Sequence, residues 1–81
     1  MRITVRIFAQ YAEWLGTDSM TLTLPPSSTV SDVVRTLRTA TPSGNRLPER
    51  PQVAVNLEHV RDDRPLTDGD ELALLPPLAG G

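Results

Sequence analysis

Side chains with conventional catalytic chemistry are sparse in these 81 residues. Cysteine is absent, which removes a thiol nucleophile, a thiolate metal site and any disulfide framework. His59 is the only histidine. With no second ligand beside it in sequence, it reads as an ordinary surface or turn residue. Asp68, Asp70 and Glu71 are too few and too closely spaced for a calcium loop, which draws on about six to eight oxygens. A β-turn with acidic flanks accounts for them. Ser27, Ser28 and Thr29 suit turn and cap formation better than nucleophilic catalysis, and no glycine-rich phosphate loop is present. The inventory predicts no resident metal, no bound cofactor and no enzyme that acts alone.

One stretch remains, "PPLAGG", Pro76 to Gly81. Pro76 and Pro77 fix their own φ angles and favour an extended course. Six extended residues reach about 20 Å, enough to enter a pocket on another protein. Gly80 and Gly81 carry no side chains, so a narrow channel can close around their backbone. An α-carboxylate on Gly81 has a pKa of about 3.3–3.7 and is ionised at neutral pH. A carboxylate anion is a poor electrophile, so acyl chemistry there requires prior activation. Adenylation by ATP is the evident route, and bulky side chains would obstruct it. The expectation is a folded domain over residues 1–75 followed by a flexible Gly-Gly tail over residues 76–81. Glycine at about 7% of residues gives a chance Gly-Gly pair about 0.5% of the time, so the tail's meaning depends on what positions it.

Charge is divided along the chain. Residues 1–50 carry six arginines against four acids, whereas residues 51–81 carry Arg61 and Arg64 against six acids. An acidic C-terminal third reads either as a solvated surface or as a face steered toward basic partners. The net charge of −2 and the scatter of the arginines argue against nucleic acid. Lysine is missing, so no lysine of this chain could receive an activated C-terminus of its own. The apolar runs are too short to span a bilayer, and "MRITVRIF" alternates instead of forming a signal-peptide core. The expectation is a soluble cytoplasmic protein with no membrane contact.

The elements that must position the tail follow from periodicity. "RITVRIF" alternates, with Ile3, Val5 and Ile7 on one side, and predicts a strand with one buried face. Phe8, Tyr11, Ala12 and Leu15 then fall at helical spacing, and Gly16 suits a C-terminal cap. "MTLTL" alternates again until Pro25-Pro26 stops it. In "STVSDVVRTLRTA", Val30, Val33, Val34, Leu37 and Ala40 make a single apolar stripe, with Arg35 and Arg38 on the solvent side. Thr29 and Asp32 resemble a capping box. "TPSGNRLPERP" reads as a loop, "QVAVN" as a strand with Val53 and Val55 on one face, and the segment containing Val60 as a turn and a brief strand. "TDGD" is a tight turn. "ELALLP" is a final strand, apolar on both sides as for a central strand covered on both faces or an edge used for docking. The order predicts an α+β fold, a mixed four- to five-stranded sheet with one main helix packed across it, which is the β-grasp (ubiquitin-like) arrangement. Periodicity alone does not separate that arrangement from another small α+β sandwich.

Val55-Asn56 and the run "PLTDGDELALLPPLAGG", Pro65 to Gly81, resemble the molybdopterin synthase small subunits, the MoaD-type sulfur carriers of the ubiquitin-like ThiS/MoaD superfamily. "FAQYAEWLGTD", Phe8 to Asp18, is similar to that family's first strand and helix, while Pro25 to Pro51 matches only as a pattern. Leu74-Leu75 stand where the family often has aromatic residues. The resemblance implies that an E1-like activating enzyme of the MoeB type adenylates Gly81 with ATP and that a sulfur donor converts it to a thiocarboxylate. The loaded tail would then enter the large synthase subunit, of the MoaE type, and give sulfur to the pterin precursor, cyclic pyranopterin monophosphate, to build the molybdopterin dithiolene. This chain would be the non-catalytic small subunit of a sulfurtransferase complex. Gly81 would be the carrier and Gly80 the slender approach, with Phe8, Leu74, Leu75, Pro76, Pro77, Leu78 and Ala79 as docking surface; Phe8 and Leu74 compete for a core role. The alternatives are a related carrier for thiamine or cysteine synthesis, and a ubiquitin-like protein modifier or binding module.

Overall fold

In the computed structural model, which describes residues 1–77, the two N-terminal alternating segments form strands β1 (Arg2–Ile7) and β2 (Ser19–Thr23). They pair antiparallel from Arg2↔Thr23 to Arg6↔Ser19. The connection between them is helix α1 (Ala9–Leu15), closed by Gly16 in the left-handed region at φ 75, whose N–H donates to the Ala12 carbonyl. A β-carbon at that φ would cost roughly 1–2 kcal/mol, which accounts for glycine there. Tyr11 is the buried residue of α1, with Ala12, Trp14 and Leu15 packed against the core beside it, whereas Phe8 stays at its N-terminus with 43% of its surface exposed.

Helix α2 spans Val30–Ala40 and begins with the expected capping box. The Thr29 N–H donates to Asp32 Oδ2 at 2.8 Å, and the Asp32 N–H donates to Thr29 Oγ1 at 3.4 Å. Its stripe, Val30, Val33, Val34 and Leu37, is buried together with Ile3, Val5, Ile7, Val53, Val55, Leu72 and Leu74 in one core. Each of those side chains contributes roughly 1.5–3 kcal/mol on burial against about 1 kcal/mol for a cap, so packing dominates. Two expectations for α2 are corrected. Ala40 is exposed, beyond the last residue that faces the strands. Arg38 is not a solvent residue, because its Nε donates to the Leu47 carbonyl at 2.9 Å.

That bond draws the following segment back along α2. The stretch read as a plain loop contains a single 3-10 turn, Gly44–Arg46, and buries Leu47. Gly44 is required by contact, since a β-carbon would overlap the Leu37 carbonyl oxygen and the Thr41 hydroxyl. Arg46 lies over the Trp14 ring, 4.4 Å from its centroid, and fastens the turn to α1.

Strands β3 (Gln52–Val55), β4 (Glu58–Val60) and β5 (Glu71–Leu75) complete a five-stranded sheet of order β2-β1-β5-β3-β4. β5 runs parallel to β1 and antiparallel to β3. This is the β-grasp arrangement, mixed and five-stranded. β5 is central as its composition suggested, but only one face is covered: Leu72 and Leu74 are buried while Ala73 and Leu75 are half-buried on the other side.

Two outcomes test this packing. Gly44→Ala should destabilise the fold by about 1–3 kcal/mol through overpacking, a fall in melting temperature of about 4 °C or more. The Asp32 carboxyl is held below the ordinary carboxylate range, first by the Thr29 backbone N–H and also by the Thr29 hydroxyl and Arg35. A depressed folded-state pKa means that its stabilisation is complete above the unfolded value near ~4 and is lost as pH falls through the folded value. Asp32→Asn should therefore lower the melting temperature at neutral pH, with the gap to wild type closing in acid.

Candidate functional site

The geometry around the tail begins with β5. Because β1 and β5 are parallel in the register Ile7↔Leu74, their C-terminal ends coincide, and Phe8 and Leu75 come to the same end of the sheet. Antiparallel β3 sets Gln52 beside Leu75. Pro76 and Pro77 have no N–H to continue the ladder, so β5 stops there. Pro76 is half-buried and Pro77 exposed. The tail base therefore leaves from a strand tied on both sides.

Of the residues expected to dock a partner, Phe8, Leu75, Pro76 and Pro77 share this end of the sheet. Leu74 does not join them. Its exposure is 0%, and it belongs to the core with Ile7 and Val53. The docking role assigned to Leu74 is corrected on that ground, since alternation along β5 turns it toward α2 and leaves no surface for a partner. Leu78, Ala79, Gly80 and Gly81 lie outside the described residues.

The opposite end of β5 explains the polar motif that precedes the tail. Asn56 follows β3 at φ 50, a conformation asparagine tolerates better than most residues. Its N–H donates to the Glu71 carbonyl at 2.8 Å, and its Oδ1 accepts from the Glu71 N–H at 3.0 Å. Its Nδ2 donates to Asp70 Oδ1 at 2.9 Å, while Asp70 Oδ2 accepts from the Thr67 N–H at 2.8 Å. Asp68 Oδ1 accepts from the Arg2 N–H at 2.7 Å, and the Gly69 N–H donates to the Arg2 carbonyl. "VN" and "TDGDE" are thus one lock that starts β5 between β1 and β3. The carboxylates of Asp68 and Asp70 hold protein N–H groups, as a turn with acidic flanks should. Spacing alone does not reveal that Asn56 and Asp70 meet, because they lie fourteen positions apart in the chain.

The remaining candidates have structural roles too. Ser28 Oγ donates to the Pro25 carbonyl at 2.8 Å, and Thr29 caps α2. His59 is exposed on β4, opposite Ala54. Among the described residues no cluster of three His, Cys, Asp or Glu side chains could hold a metal ion, and no helix is long and apolar enough to cross a membrane. Two open grooves of about 310 and 400 Å³ flank α2, lined in part by Arg38 and Arg50 and by Leu24 and Pro25; neither is lined by Phe8 or β5.

Comparison with known proteins places these features in a family context. The model of the ThiS family matches residues 5–81. The molybdopterin synthase sulfur carrier subunit of Chlamydomonas reinhardtii is 35% identical over 83 residues, covering 100% of both chains. The crystal structure of small archaeal modifier protein 1 from Haloferax volcanii is similar with a TM-score of 0.84 and 28% identity, over 95% of this chain and 98% of that one. A chain of the complex of subunits 1 and 2 of the molybdopterin-converting factor from Helicobacter pylori 26695 shares the fold, with a TM-score of 0.72 at 22% identity over 100% of both chains.

The lock at the start of β5 is directly testable. Asn56→Gly keeps the positive φ accessible but deletes both side-chain bonds, and should cost about 1–3 kcal/mol by denaturant unfolding. Hydrogen exchange at the Glu71 amide should accelerate with it, and an unchanged exchange rate would contradict the lock.

Proposed function

The chain belongs to the ThiS family, and on that premise we propose that it is the sulfur-carrier subunit of molybdopterin synthase. The observation that carries this reading is the full-length likeness to the Chlamydomonas reinhardtii carrier, 35% identity across 100% of both chains. In the proposed cycle an E1-like enzyme of the MoeB type transfers AMP from ATP to the Gly81 carboxylate and releases pyrophosphate. A sulfur donor then displaces AMP and leaves a thiocarboxylate. The tail enters the large subunit, of the MoaE type, where the sulfur passes to the pterin precursor, cyclic pyranopterin monophosphate, and water restores the carboxylate. ATP is used by the activating partner and is not held by this chain. The cycle runs in the cytoplasm.

The chemistry of the chain supports this division of labour. The described residues offer apolar surface at Phe8 and Leu75 and a stiff proline pair at the base of the tail, while Ser28, Thr29, Asn56, Asp68 and Asp70 serve caps, turns and the β5 lock. With no cysteine, the chain would carry sulfur on its backbone terminus. Catalytic side chains would belong mainly to the large subunit. Gly80 would let a narrow channel close on the backbone, and Pro76, Pro77, Leu78 and Ala79 would line the approach.

The likeness to small archaeal modifier protein 1 favours a second reading, in which activated Gly81 is joined to an amine of another protein. Activation is common to both readings and the acceptor differs. Deleting Gly81 should abolish pterin sulfuration by the reconstituted synthase while thermal stability and affinity for the large subunit stay nearly unchanged. Sulfuration by the truncated chain would refute the carrier role, and covalent conjugates of the intact chain with other proteins would favour the modifier.

A further inference from the structure

Charge on the sheet is arranged differently in space than along the chain. Glu58, Asp68, Asp70 and Glu71 gather at the entrance of β5, the end of that strand farthest from the tail. On the face turned away from α2, register sets Ser19, Arg6, Ala73, Ala54 and His59 in one row across the five strands. The next row toward the tail holds Phe8, Leu75 and Gln52. Phe8 belongs to it because its backbone is still extended, at φ −119 and ψ 155, and continues the alternation of β1. Ala9 then turns the chain into α1 at φ 49, a left-handed conformation unfavourable to alanine. Among the described strand residues of this face Glu71 is the one acid, and it sits opposite Thr4 in the entrance half. Arg6 is exposed between Ala73 and Ser19, and among the described residues it makes no ion pair.

We infer that Arg6 is an electrostatic key for the protein that takes up the tail, and that the partner surface closing over Phe8 and Leu75 presents a carboxylate to it. The inference rests on the carrier reading above, and the partner is the large synthase subunit. A protein that encloses the tail down to Pro76 must cover Leu75, and stable interfaces take about 800 Å² from each partner. Arg6 lies one strand and one row from Leu75, ~8 Å between Cα atoms, well inside such an area. Neither neighbour in its row offers a carboxylate, so an apolar partner surface would strip water from the guanidinium without compensation. An Asp or Glu of the partner supplies that compensation through charge-assisted hydrogen bonds, which a guanidinium can make in pairs. The small side chains of Ala73 and Ser19 leave the guanidinium open to it. Phe8 and Leu75 supply apolar contact alongside. The surface around the tail base is therefore apolar and cationic, although the C-terminal third of the chain is acidic.

The test measures binding of the full chain to the purified large subunit by titration calorimetry and does not depend on sulfur transfer. Arg6→Ala should weaken the affinity ~10-fold or more and Arg6→Glu ~100-fold or more, while Arg6→Lys should lose less than Arg6→Ala. The gap between wild type and Arg6→Glu should narrow as salt rises. Melting temperatures of these variants should match wild type, since the side chain is exposed. Arg2→Glu makes the same change in net charge on the same strand face, ~13 Å away at the entrance end. That exceeds the Debye length of about 8 Å at physiological salt, so its affinity should stay within about twofold of wild type. Binding indifferent to Arg6→Glu, or an equal loss with Arg2→Glu, overturns the inference and leaves the carrier reading standing. So does tighter binding by Arg6→Leu, which would mean an apolar partner surface at that point. Failure of the wild-type chain to bind the large subunit overturns the carrier reading and the inference with it.

Discussion

β5 is hydrogen-bonded on both sides, to β1 through Thr4–Ile7 and to β3 through Gln52–Val55, and the rest of the molecule is arranged around that fact. A strand with two neighbours has its backbone groups satisfied without help from solvent, and it can fray only if a neighbour lets go. Asn56, Asp70 and Asp68 fasten its entrance, and the proline pair stops the ladder at its exit. Whatever the tail does, it follows directly on a strand that is hydrogen-bonded on both sides.

The parallel pairing of β1 with β5 needs a long connection, and α2 lies within it. Its apolar stripe covers the inner face of the sheet and leaves the outer face to Thr4, Ala54, Ala73 and Leu75. Burial of Val33, Val34, Leu37, Ile3, Val5 and Leu72 supplies far more than the cap or any exposed ion pair. In each of the ion pairs Arg35–Asp32, Arg38–Glu49 and Arg50–Asp62, at 3.1–3.8 Å, one partner is largely exposed, and such pairs contribute about 0–1 kcal/mol each. Stability and the candidate docking surface thus occupy different parts of the same sheet: the covered face holds the fold, and the end of β5 offers Phe8, Leu75 and Pro76.

Much of this was legible in the chain because single-element periodicity is strong here. The alternation of Ile3, Val5 and Ile7 and the stripe of Val30, Val33, Val34 and Leu37 state their elements outright, and the Thr29–Asp32 spacing states the cap. What periodicity cannot carry is pairing between distant segments. Leu74 and Leu75 look alike in sequence, and only the register against Ile7 and Val53 sends one to the core and the other outward. Gly44 and Arg46 sit in a proline-rich stretch whose order comes from contacts with Leu37 and Trp14, neither of which is local. Asn56 and Asp70 are recognisable in the chain only as parts of a motif, and their physical role is a hydrogen-bonded clamp between two turns.

The central claim is that Gly81 carries sulfur, and the mass of the chain tests it most directly. After incubation with an E1-like adenylating enzyme, ATP and a sulfur donor, intact-mass measurement should show one oxygen exchanged for sulfur, with fragmentation assigning the sulfur to Gly81. An unchanged mass, with the same enzyme shown to be active on another carrier, would contradict it.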